Sequence, residues 1–237
     1  MARYDVILLD ADMTLLDFER SETEALIRAL EKWGLPHDEA TCAAYSKING
    51  ALWAAMARGE IDQDYLRAER FAALLRWLGR PGDATAIGRD YEEFLGETAH
   101  LLPGAADFCR TLAGAGLTVA IATNGLPRAQ RGRYVRTGLD KIIPHLFISM
   151  ELGAQKPQPE FFDRVLEELR VTDRSRAVII GDGLGTDILG ANRAGLDCIW
   201  YNPRHLPLTG GAKPDYTADS YAAVLNILEI PVPTAKV

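Results

Sequence analysis

Short, uninterrupted aliphatic runs recur along the chain, separated by longer stretches in which apolar positions return every three or four residues. The runs are Tyr4–Leu9, Leu117–Ala122, Leu146–Ser149, Ala177–Ile180 and Cys198–Tyr201. None alternates apolar with polar residues, so each predicts a strand buried on both faces, as in a parallel sheet covered by helices. From residue 99 onward helix and strand take turns at the spacing that right-handed crossovers need, which predicts an α/β domain. Pro127 and Pro159 suit first helical turns, and Gly116 and Gly195 suit the left-handed residue that follows a helix. The stretch from Asn202 to Pro214 reads as loop and Asp219–Leu228 as a closing helix.

Residues 17–98 break this alternation. They hold no convincing strand but several amphipathic helical patterns. The first is expected to open on a capping box, Ser21 with Glu24, and to stop at Gly34-Leu35-Pro36. Further helices are expected over 38–57, 62–78 and 83–97. Some 80 helical residues are too many for a simple crossover, so the stretch is read as an all-α insert. Residues 1–16 and 99–237 then form one discontinuous α/β core of ordinary domain size.

Composition narrows the function. The 237 residues are 48% hydrophobic and 25% charged, which excludes wholesale disorder, and the net charge of −7 speaks against a nucleic-acid surface or a basic membrane face. No apolar run approaches the roughly 20 residues of a membrane span, and Asp5, Asp10 and Asp12 interrupt any signal-peptide core. Cys42, Cys109 and Cys198 are odd in number and widely spaced, as expected of reduced core cysteines rather than disulfides or a zinc site. The expected setting is cytoplasm.

The strand ends carry the chemistry. Asp10 and Asp12 follow the first strand, at the sheet edge where open α/β sheets bind ligands, and two acids so close split their proton affinities. The same spacing also suits a solvated turn. After the second strand, Thr123-Asn124-Gly125 offers a hydroxyl and turn N–H groups to a phosphoryl oxygen, or is an ordinary turn. Lys156, fixed before Pro157 and a helix start, brings a positive charge; surface loop lysines are the commoner case. After the fourth strand, Asp182 and Asp187 form an acidic pair suited to Mg2+, which prefers oxygen ligands. Taken in order, four loops of one edge supply four carboxylates, a lysine and donors, a composition fitted to magnesium-assisted phosphoryl transfer. The four histidines show no metal spacing, and neither a G-x-S-x-G elbow nor a P-loop is present.

Through Asp10-Ala11-Asp12-Met13-Thr14, Thr123, Lys156, and Gly181-Asp182 with Asp187, essentially the whole chain resembles the haloacid dehalogenase superfamily of phosphohydrolases. Ile48-Asn49-Gly-Ala-Leu-Trp53 and Asp173-Arg-Ser-Arg176 resemble its pyrimidine 5′-nucleotidase branch. Met13 stands where many phosphatases of the superfamily carry Gly. The resemblance implies a Rossmann-like core with a C1-type helical cap at 17–98, Asp10 as nucleophile forming an aspartyl-phosphate, and Asp12 as general acid and then base. It implies that Thr123 and Lys156 steady the transferring oxygens. Magnesium is expected at Asp10, the Asp12 carbonyl and Asp182, with Asp187 beside it. Asn124, Thr14, Phe18 and Trp53 are expected on the substrate side, Thr14 also holding its loop in shape. The implied substrate is a small phosphorylated metabolite, most readily a pyrimidine nucleoside 5′-monophosphate. Phosphoglycolate, sugar phosphates, a phosphomutase reaction and a non-catalytic binding role are the alternatives.

Overall fold

In the computed structural model, residues 3–232 are described; residues 1–2 and 233–237 of the expected core lie outside them. The aliphatic runs become strands, and burial on both faces is what selects them. The elements follow in the order β1 Val6–Leu9, α1 Phe18–Lys32, α2 Glu39–Ala57, α3 Gln63–Leu78, α4 Ala84–Glu97, α5 Ala105–Gly114 and β2 Thr118–Thr123. Then come α6 Pro127–Arg136, β3 His145–Ile148, α7 Ser149–Leu152, α8 Pro159–Glu168, β4 Ala177–Gly181, α9 Leu189–Ala194, β5 Asp197–Tyr201, β6 Tyr216–Ala218 and α10 Tyr221–Ile227.

The six strands form one parallel sheet in the order β3-β2-β1-β4-β5-β6. Successive residues of a strand face opposite sides, and the sheet uses both. Ile7, Leu9, Val119, Ile121, Val178 and Ile180 join Phe108, Leu112, Val224 and Leu225 in one core. Val6, Leu8, Ala120, Ala122, Ile179 and Trp200 join Phe161, Phe162, Val165 and Ala191 in the other. The strand order reverses between β1 and β4, and the crevice outside the carboxyl ends at such a switch point is where open α/β sheets take ligands. β6 was not foreseen. Its three residues lie at the sheet edge, too few for any period to show. Cys109 and Cys198 are buried, whereas Cys42 is only half-buried, so the expectation of core cysteines fails at Cys42.

By contact the chain divides into two compact units: Met1–Phe18 with His100–Pro127 and Tyr134–Val237, and Glu19–Ala99 with Arg128–Arg133. The second is all helix. Asp38, Asp62 and Asp83 cap α2, α3 and α4 by accepting from the N–H groups of Thr41, Tyr65 and Ala86, so these helices start within a residue of expectation. Tyr45, Phe71 and Tyr91, one from each of those helices, meet with ring centroids 5.1–5.5 Å apart. Arg128–Arg133 of α6 joins this unit because two glycines let helices touch. A Cβ on Gly132 would lie 2.4 Å from the Gly96 carbonyl oxygen of α4.

One helix start is corrected. α1 begins at Phe18, so Ser21 is a fully buried helix residue rather than a cap, and Glu24 pairs with Arg20 at 3.0 Å. The chain is already fixed one turn earlier. Leu16 bridges Leu101, and the Asp17 N–H donates to the His100 carbonyl at 2.9 Å.

Candidate active site

Four loops leave the carboxyl edge of the sheet around β1, and their side chains converge. Asp10, the first residue past β1, is still tethered to the sheet, its N–H donating to the Ile180 carbonyl at 2.9 Å. The chain then turns tightly. Leu15 and Leu16 N–H groups both donate to the Ala11 carbonyl, and the Met13 N–H donates to the Leu16 carbonyl. That turn holds Met13 at φ +62°. A left-handed backbone carries a Cβ penalty that glycine lacks, which accounts for glycine being the common choice at this position of the resembled family. Asp12 is half-buried beside it.

Lys156 is the centre of the arrangement. Its side chain is 1% exposed, and its ammonium donates to Asp10 Oδ1 at 2.6 Å, Asp187 Oδ1 at 2.6 Å and the Ala122 carbonyl at 2.7 Å. An ammonium has three donors, and all three are used. Lys156 is thus no surface lysine. Burial alone lowers its affinity for the proton, but the attraction of Asp10 and Asp187 outweighs this and holds it above the ordinary lysine value.

Asn124 and Thr14 serve this geometry. The Asn124 amide pairs with the Lys156 backbone in both directions, accepting from its N–H at 2.9 Å and donating to its carbonyl at 2.8 Å. Thr14 is fully buried. Its Oγ1 accepts from the Asp182 N–H at 3.1 Å and donates to Asp182 Oδ1 at 3.4 Å. Both side chains brace neighbouring loops, Thr14 from a fully buried position and Asn124 from a half-buried one. The loop-shaping part assigned to Thr14 is what its contacts perform. Thr123, 1% exposed at the end of β2, accepts the Gly125 N–H at 3.0 Å.

The loop after β4 depends on glycine. Asp187 sits on a single π-helical turn, Leu184–Ile188, and its Oδ2 accepts the Gly183 N–H at 3.0 Å. A Cβ on Gly181 would lie 2.4 Å from the Asp187 carboxylate, and one on Gly183 would lie 2.2 Å from the Thr186 hydroxyl. Both oxygens of Asp187 are therefore engaged, one by Lys156 and one by backbone.

Asp10, Asp182 and Asp187 can each offer one carboxylate oxygen, with these atoms within 4.8 Å of one another. Burial raises the Asp10 carboxyl well above the ordinary range, against the pull of Lys156 and helped by Asp187, Asp182 and Asp12. Burial and the nearby charge of Asp187 push Asp182 up to about 7. One lysine does not neutralise three gathered carboxylates. The donor set is all oxygen and short of positive charge, which fits a hard divalent cation that needs only one or two direct carboxylates. Asp10 and Asp182 are the more accessible ligands, because Asp187 is the most deeply buried of the three and each of its oxygens already accepts a hydrogen bond.

The loops thus bring together Asp10, Lys156, Asp182 and Asp187, with Thr14 and Asn124 as braces. Phe18 opens α1, half-buried in the first unit; Trp53 is half-buried on α2 of the second, three positions before buried Met56. Neither belongs to the four-loop set. Two braces escaped the sequence. Trp200 of β5 donates its indole N–H to the Asp182 carbonyl at 3.0 Å, and Tyr221 of α10 donates its hydroxyl to the Thr14 carbonyl at 2.7 Å. A tryptophan inside a strand buried on both faces needs an acceptor for its N–H, and that was the available signal.

A profile of the haloacid dehalogenase-like hydrolases matches residues 4–195. Pyrimidine 5′-nucleotidase PynA of Streptococcus pneumoniae is 34% identical over 226 residues, spanning 95% of each chain. Pyrimidine 5′-nucleotidase YjjG of Escherichia coli is 32% identical over 229 residues, 95% of this chain and 98% of that one. Among solved structures, the magnesium-bound putative HAD-hydrolase YfnB of Bacillus subtilis superposes with a TM-score of 0.90 at 34% identity, covering 96% of this chain and all of that one. With a family profile over most of its length and relatives matched nearly end to end, the chain belongs to the haloacid dehalogenase-like hydrolases.

Proposed function

We propose that this hydrolase is a magnesium-dependent phosphatase that cleaves pyrimidine nucleoside 5′-monophosphates through a phosphorylated Asp10. The observation that carries the reading is the Lys156 ammonium, buried and hydrogen-bonded to both Asp10 and Asp187 at the switch point of the sheet.

In the first half-reaction Asp10 attacks phosphorus. Lys156 occupies Oδ1, which leaves Oδ2 as the attacking oxygen. An O–P bond forms to Asp10 as the ester O–P bond breaks, and Asp12 gives its proton to the departing alkoxide. In the second half-reaction Asp12 takes a proton from water, whose oxygen attacks the aspartyl-phosphate. Inorganic phosphate leaves and the Asp10 carboxylate is restored. Thr123 and loop N–H groups steady the phosphoryl oxygens, and Lys156, whose three N–H groups are already placed, adds its positive charge beside them. Asp10 and Asp182 would hold magnesium; when bound, it supplies the missing positive charge that keeps these carboxylates ionised and offsets that of the phosphoryl group. Asp12 favours ester hydrolysis over dehalogenation, since halide leaves without a proton. The nucleotide preference rests on the two relatives named as pyrimidine 5′-nucleotidases.

The test is phosphate release with magnesium across UMP, dUMP, dTMP, AMP, phosphoglycolate and sugar phosphates. Preference for UMP, dUMP and dTMP is expected. Preference for phosphoglycolate or a sugar phosphate would overturn the nucleotidase reading and leave phosphatase standing, whereas release that is indifferent to chelation would remove magnesium from it.

A further inference from the structure

We infer that Trp200 is a positioning residue that fixes Asp182 for a divalent cation, an inference that rests on the phosphatase reading above. Asp182 is the first residue beyond the ladder of β4. Gly181 is the last paired residue there, with Trp200 of β5 as its register partner. Just where the sheet stops supplying hydrogen bonds, two side chains take over. The Asp182 N–H donates to Thr14 Oγ1 at 3.1 Å, and the Asp182 carbonyl accepts the Trp200 indole N–H at 3.0 Å. Both peptide groups of one residue are thus held from opposite sides, by the loop after β1 and by β5.

Trp200 suits this task. It is 4% exposed, packed in the core with Ile179 and Cys198. Its ring is enclosed by that core, and its one polar atom is spent on the Asp182 carbonyl. Asp182 lies beside two other carboxylates, those of Asp10 and Asp187, whose charge repels its own. The hydrogen bonds to its backbone, together with the Thr14 hydroxyl at Oδ1, keep it there. Groups that orient a metal's ligands in this way typically govern affinity for the ion by about 10- to 100-fold.

The experiment is calorimetric titration of Mg2+ into the cation-free 237-residue chain, wild type against Trp200→Phe and against position 200 carrying benzothienylalanine. The second substituent keeps the bicyclic ring and removes only the N–H, so it decides the matter if the phenylalanine variant fails to fold. The expected result is a dissociation constant for Mg2+ raised about tenfold, with an unchanged melting temperature of the cation-free benzothienyl protein and kcat at saturating Mg2+ within about twofold of wild type. An unchanged dissociation constant in the benzothienyl protein would overturn the inference while leaving the proposed function intact. Wild-type protein that binds no Mg2+ would overturn the proposed function and this inference together.

Discussion

Lys156 Nζ lies 2.6 Å from Asp187 Oδ1, and it stands at the same distance from Asp10 Oδ1, so a single buried cation holds two buried anions. Substituting Lys156→Met strands both. Removing one partner of a buried ion pair costs about 3–5 kcal/mol, and here the residues concerned are at most 8% exposed. The variant is expected to melt well below wild type, to recover part of the loss on addition of Mg2+, and to have no measurable turnover. A variant as stable as wild type in chelator would show that the ammonium contributes little to holding the loops.

Asp12 as proton donor makes a prediction that depends on the leaving group. Asp12→Asn is expected to slow hydrolysis of a nucleoside monophosphate by about 10²- to 10⁴-fold in the bond-breaking step. With p-nitrophenyl phosphate, whose leaving group departs without a proton, that step should be far less affected, and a phosphorylated enzyme should accumulate. Single-turnover kinetics with both substrates measures this. Equal losses of the bond-breaking step would remove the acid role from Asp12.

The raised carboxyl of Asp182 gives a pH dependence with a definite sign. In cation-free protein it titrates at about 7, whereas an unfolded aspartate does so at about 4. Between those values the native state holds more protons than the unfolded one, so this group's contribution to stability is full at low pH and is lost as pH rises through the window. A bound cation displaces the proton, so the stabilisation by Mg2+ should grow with pH. Thermal melts from pH 5 to 8, with chelator and with Mg2+, are expected to diverge as pH rises; parallel curves would contradict this.

Two glycines of one loop should behave oppositely. A Cβ at Gly181 meets the Asp187 carboxylate at 2.4 Å, while one at Gly185 meets nothing within 4 Å. Gly181→Ala is expected to displace Asp187 and thereby Lys156, lowering both melting temperature and kcat. Gly185→Ala should leave both near wild type. The pair of melts and rates distinguishes a steric requirement from general intolerance of the loop.

Much of this was legible in the residues. Strands such as Val6–Leu9 and Ala177–Gly181 announce themselves because burial on both faces leaves no polar position to blur the run. The loops that converge on Lys156 stood out because acids and a lysine at strand ends have few structural uses. What escaped depends on partners far away in sequence. Ser21 with Glu24 has the spacing of a cap, but the bridge between Leu16 and Leu101 starts the helix sooner. The bonds of Asn124 to Lys156 and of Thr14 to Asp182 join residues that lie far apart in the chain, and no local pattern announces them. The Arg128–Arg133 segment joins the helical unit through Gly96 and Gly132, a contact between two residues with no side chain to read.

The place of β1 sets an order for the protein's making. It leaves the ribosome well before its register partners, Thr118 of β2 and Ala177 of β4. The helices α2, α3 and α4 find their partners close by in sequence and can form early; the sheet must wait for strands made later, because long-range pairing is slow. Asp10 is translated long before Asp182 and Asp187 and takes its place only once β4 is made, since its N–H donates to the Ile180 carbonyl. A chain stopped short of β4 therefore carries Asp10 without the strand that tethers it or the two carboxylates that gather beside it.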